Sequence, residues 1–151
     1  MRTILFLIML ATTLPSAASD AIIGKWRIER AEKAPWVDAS FKPDDAITKR
    51  YLNQTIHFRK KKIVGPALLA CSKPNYTYSQ VPAEGLFQGG LAETERDIPQ
   101  ARTTALKIGF TTQPVHTVTT SCDHDIAFHM SDKDHAAFAL DNMIFWLKRL
   151  P

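Results

Sequence analysis

Long apolar runs are scarce in this chain of 151 residues. One occurs near the start, Ile4 to Ala11, and it is too short to span a bilayer as a helix. No later stretch reaches membrane length, so a membrane-spanning helix in the body of the chain is not expected. Cysteine is reduced to two residues, Cys71 and Cys122, and none follows the early apolar run, which argues against a bacterial lipoprotein anchor. There is no Gly-x-Ser-x-Gly elbow and no glycine-rich phosphate loop, so the hydrolase and phosphate-binding signatures are missing. No internal repeat and no low-complexity tract is visible, which removes the solenoid and array architectures.

What is present begins with an export signal. Arg2 supplies a positive start, Ile4 to Leu10 an apolar core, and Ser16-Ala17-Ala18 small residues for a peptidase. Residues 1–18 are expected to be removed, leaving one domain of 133 residues (151 − 18), numbered 19–151, in the periplasm or outside the cell. Nineteen Lys and Arg face fifteen acids; losing Arg2 takes the net charge from +4 to +3, an ordinary basicity that selects no partner. In an oxidising compartment the even cysteine pair is expected as a disulfide. It would close a loop of about fifty residues, a crosslink of roughly 4 kcal/mol in the chain-entropy account.

Period-two patterning dominates the rest. Gly24 to Ala31 alternates, with Trp26, Ile28 and Arg30 on one side and Lys25, Arg27 and Glu29 on the other. Thr55 to Arg59 is a second strand, Lys60 to Lys62 a turn or polar edge, and Ile63-Val64 its continuation up to Gly65-Pro66. Asn75 to Val81, rich in Tyr and Thr, ends at Pro82. Val115 to Cys122, Ile126 to Met130, His135 to Leu140 and Met143 to Arg149 complete the set, with turns at Asp123 to Asp125, Ser131 to Asp134 and Asp141-Asn142. A helix competes for His135 to Leu150, but Asp141-Asn142 would fall in its middle, where such residues favour turns. Between strands, a helical turn capped near Asp44 and a short helix within Leu91 to Ala105, interrupted or started at Pro99, are expected. About eight short strands with close spacing predict a mainly β domain: a small antiparallel meander closed or nearly closed into a barrel, with one short helix or irregular excursion. The expected core is Trp26, Ile28, Ile56, Phe58, Phe110, Val118, Phe128, Phe138 and Leu147.

The stretch from Ser121 to His135 concentrates Cys122, His124, His129, His135 and four aspartates, the composition of a metal site. Zinc needs three or four converging ligands. On a strand His124 and His129 take opposite faces, and His135 lies beyond a turn. A disulfide would also remove the thiolate. The aspartates lack the central Gly and terminal Glu of a calcium loop and suit turn chemistry. No metal and no cofactor is therefore expected. A cysteine nucleophile beside His116 or His124 requires that the disulfide be absent. Glu84, Glu93 and Glu95 have no spacing that singles out a glycosidase pair. Arg59-Lys60-Lys61-Lys62 reads as a solvated turn or as a contact for an anionic polymer, lipid or partner, without the stacking aromatics of a nucleic-acid module.

Gly24-x-Trp26 at the first strand, with Arg149 near the end of the last, resembles the signature of lipocalins and related calycin barrels. The resemblance implies a barrel in which Trp26 plugs one end, Gly24 makes a close turn and Arg149 covers the indole through a cation–π contact. The layout is also similar to small periplasmic proteins of unknown function from proteobacteria, which implies a compartment and says nothing of activity. A binding role is expected. The occupant is either a small apolar ligand inside the barrel or an envelope or protein partner held by loops, as periplasmic enzyme inhibitors do. Leu86 and Phe87, set among glycines, are the candidate partner or lid loop. A small metal-dependent enzyme built on the His/Asp-rich hairpin is the third reading.

Overall fold

The computed structural model describes residues 21–122 and 124–151. The expected leader, its cleavage point before Ser19, and Asp123 in its turn lie outside the described residues. Eight strands are seen among the described residues: β1 (Gly24–Lys33), β2 (Thr55–Arg59), β3 (Lys62–Val64), β4 (Tyr76–Val81), β5 (Val115–Thr120), β6 (Ala127–Met130), β7 (His135–Leu140) and β8 (Met143–Arg149). All neighbours pair antiparallel, in the order β3-β2-β1-β8-β7-β6-β5-β4. That is the circular order of an eight-stranded meander, opened where β3 and β4 would meet. The protein is a curled, nearly closed barrel.

Three links cross the open seam. Ile63 of β3 bridges to Cys71 through paired backbone hydrogen bonds. Cys71 is joined to Cys122 just past β5, with 5.8 Å between Cα atoms. The Tyr76 hydroxyl donates to the Arg59 carbonyl at 2.8 Å. Burial, then the adjacent Tyr78, raise the Tyr76 pKa to about 12, so this donor keeps its proton. These contacts occupy edge groups that would otherwise offer a template for another strand.

The β7–β8 hairpin settles the competition over residues 135–150. Asp141 and Asn142 sit at φ 50° and 61°, the two left-handed residues of a tight hairpin turn. β8 is apolar on both sides because both sides are covered. Met143, Phe145 and Leu147 face the barrel interior, while Ile144 and Trp146 face outward into a second core.

The inner core contains Trp26, Ile28, Ile56, Phe58, Val118, Phe128, Phe138 and Leu147, with Phe58 and Phe128 edge to face at 5.0 Å. Phe110 is buried too, but in the outer core, against Trp146 at 5.5 Å. Arg30 departs from the expected face. A bulge between Ile28 and Arg30 adds one residue and turns the side chain outward, where its guanidinium lies 4.6 Å from the Trp146 ring.

Two helices flank the sheet among the described residues. α1 (Asp45–Tyr51) starts where Asp44 accepts from the Ala46 N–H at 2.8 Å and carries Lys49 and Arg50 in its last turn. α2 (Ile98–Ile108) has Pro99 in its first turn and ends on Gly109 in the left-handed conformation, so Pro99 starts the helix and the helix runs three residues past Ala105. α2 and the 3-10 turns at Ala83–Gly89 form the outer layer that covers β5 to β8. None of the described helices is long and apolar enough to cross a membrane.

Candidate functional site

Strand register places one end of the barrel. Gly24, Arg149, Met130 and His116 lie at the same end of their strands, because Trp26 pairs with Arg149 and Met130 with His116. A half-open pocket of about 340 Å³ is set into this end. Its floor is Val118 and Met130, both members of the inner core, and Tyr78 and His116 wall it. Pro114, Thr112 and the β6–β7 turn from Ser131 to Lys133 make the rim, which Arg149 completes beside Ala21. Its surface is mainly apolar, and its size lies at the lower end of small-molecule sites.

The rim is rigid for identifiable reasons. The Arg149 guanidinium lies 4.2 Å from the Trp26 ring and donates to the Ile23 carbonyl at 2.8 Å, to the Lys133 carbonyl at 3.0 Å and to the Ala21 carbonyl. The Trp26 indole N–H donates to the Ile22 carbonyl at 2.8 Å, inside the barrel mouth. Gly24 has φ 140°, and a Cβ there would come within 2.8 Å of the Arg149 guanidinium. One cation therefore ties the chain entering β1 to the β6–β7 turn. Asp132 accepts from the Asp134 and His135 N–H groups and contacts the His135 ring at 3.0 Å. Burial works to raise its pKa, but those hydrogen bonds and the His135 ring hold it below the ordinary carboxylate value. Asp132 is engaged in shaping the turn.

The histidines of the Ser121–His135 stretch go to three places. His135 binds Asp132. His129 is 1 % exposed in the outer core, where Nε2 accepts from the Phe87 N–H at 2.9 Å and Nδ1 meets the Thr117 hydroxyl at 2.8 Å. The first contact requires a bare Nε2, so the proton sits on Nδ1 and is donated to Thr117. Burial pushes the His129 pKa down to about 4, and the ring is neutral. His124 lines a separate cavity of about 430 Å³ beside the disulfide, with Leu68 and Lys73. Among the described residues, no group of three His, Cys, Asp or Glu side chains is placed to hold a metal ion.

Leu86 and Phe87 are corrected by the structure. They are 0 % and 4 % exposed, so they offer no surface patch. Phe87 packs edge to face on Phe110 at 5.9 Å and on the His129 ring at 4.8 Å, and its backbone holds His129. These two residues anchor the excursion to the sheet. Sequence reasoning missed the pocket walls Tyr78 and His116; their alternation in β4 and β5 marks the inward face but not where the core stops. No family model, curated protein or solved structure matches the chain.

Proposed function

We propose that this is an exported binding protein that holds a small, largely apolar molecule in the pocket at the Trp26 end of the barrel. The observation that carries this reading is the pocket itself, about 340 Å³ with an apolar floor of Val118 and Met130. A few polar groups at its rim, including Lys133 and Arg149, suit a ligand with one polar end. The walls are strands and the rim is braced by Arg149, so the site is preformed and binding costs little reordering. The likeness to lipocalins and the periplasmic location are part of this reading, and a ligand held at a barrel mouth agrees with both.

Native, non-reduced intact mass of the protein recovered after export tests the proposal, followed by titration with a fluorescent fatty-acid analogue. A retained organic adduct, or saturable binding lowered at least tenfold by Thr112→Trp at the exposed rim, supports it. Absence of both an adduct and saturable binding would sink it and return the protein to the partner-binding reading.

A further inference from the structure

The outer face of the barrel wall opposite the excursion is strongly basic. In β1 and β2, Lys25 stands opposite His57; in β1 and β8, Arg27 stands opposite Lys148; in β2 and β3, Arg59 stands opposite Lys62. Their neighbours Trp26, Ile56, Phe58 and Leu147 point into the inner core, so all these side chains project from the outer surface. Lys25, Arg27, Arg59, Lys62 and Lys148 are exposed, and none of the five has an ion-pair partner among the described residues. Partial desolvation, followed by the charges of Arg59 and Lys25, lowers the pKa of His57 at the centre of the group. Glu29, the nearest acid along β1, is in the bulge beyond Ile28, and Glu32 is engaged with Arg30 and Trp146.

Like charges opposite one another on a sheet oppose folding, so this arrangement does nothing for the fold. No exposed Phe, Tyr or Trp stands among these cations to stack on bases; Trp146, two residues before Lys148 on the outer side of β8, is buried in the outer core. One apolar side chain does stand among them: Val64, opposite His57 on the edge strand, is 42 % exposed. An exposed aliphatic side chain gains nothing from a soluble polyanion. Beside a row of cations it matches a bilayer interface, where charges meet headgroups and apolar tips reach the acyl boundary.

We propose that the outer face of β3-β2-β1, together with the Lys148 end of β8, docks on a bilayer of anionic phospholipid, through Lys25, Arg27, Arg59, Lys62 and Lys148 with Val64 inserted. Docking is separate from occupancy of the pocket. Each cation near such a surface strengthens binding about fivefold, and salt screens the effect.

The test is sedimentation of the exported protein, its N-terminus verified by mass, with phosphatidylcholine vesicles containing or lacking phosphatidylglycerol. Binding is expected only with phosphatidylglycerol and is expected to fall steeply as salt rises. The Arg27→Gln/Lys148→Gln variant is expected to lower partitioning ~25-fold, two factors of about five. The Val64→Ser variant is expected to lower it several-fold while leaving retention on heparin unchanged. All three positions are exposed, and unchanged melting temperatures verify the fold. Absence of phosphatidylglycerol-dependent binding, or wild-type binding by the charge variant, overturns the proposal. So does tight heparin binding combined with vesicle binding indifferent to Val64→Ser, which would identify a soluble polyanion as the partner.

Discussion

At the scale of single residues, Gly24 and His129 show how a side chain's neighbours decide its role. Gly24 is required twice over. Its φ of 140° disfavours any L side chain, and an added methyl would strike the Arg149 guanidinium, which three carbonyls and the Trp26 ring hold in place. Gly24→Ala is expected to cost roughly 2 kcal/mol and to lower the melting temperature, measurable by calorimetry. It should also weaken ligand binding, because the displaced arginine belongs to the rim. His129 makes a different prediction. With a folded pKa of about 4 against about 6.5 in the unfolded chain, the unfolded state binds more protons between those values. Stability is therefore complete above pH 6.5 and falls as the pH drops toward 4, by roughly 3 kcal/mol in all. Denaturant unfolding across this range measures the slope. His129→Gln retains an acceptor for the Phe87 N–H and is expected to flatten it; an unchanged slope would assign the acid sensitivity to another group.

At the scale of elements, strand patterning was legible and strand faces were less so. Alternation marked most of the strands, β-branched and aromatic composition marked β4, β3 was read only as a continuation of β2, and Asp141-Asn142 marked the last hairpin, because these signals are local: a period of two, residue type, and side chains that tolerate a left-handed turn. The outward turn of Arg30 was not legible, since the bulge that causes it is a mismatch between β1 and β8 and neither strand shows it alone. Leu86 and Phe87 misled for a related reason. An apolar pair among glycines reads the same whether it faces water or a neighbouring layer, and the layer is formed from β5 to β8, far away in sequence. The cluster of histidines and aspartates also dissolved at this scale. Turns and strands sent His124, His129 and His135 to different surroundings, and the pair of His129 with Thr117 depends on β5–β6 register.

At the scale of the whole molecule, the seam governs stability. The sheet order leaves β3 and β4 unpaired with each other, and the Cys71–Cys122 link, the Ile63 bridge and the Tyr76 hydrogen bond hold those edges together. Removing both thiols, Cys71→Ser with Cys122→Ser, is expected to cost 2–4 kcal/mol by order of magnitude. Hydrogen exchange should show the loss concentrated in β3, in β4 and in the chain between them, while β1, β7 and β8 keep their protection. Uniform loss across the sheet would mean that the seam is not the weak point. The sequence by itself determined the mainly β class, the approximate strand limits, the cysteine pair and eight of the seventeen buried residues of the inner core, because these follow from composition and from contacts within a few residues. Tertiary structure alone decided that the meander opens between β3 and β4, that a second core lies outside the sheet, that a pocket remains at the Trp26 end, and that cations from β1, β2, β3 and β8 share one face. The physical reason is common to all four. Each depends on which strands become neighbours, in what register and with how much curvature, and those quantities are set by packing between residues distant along the chain.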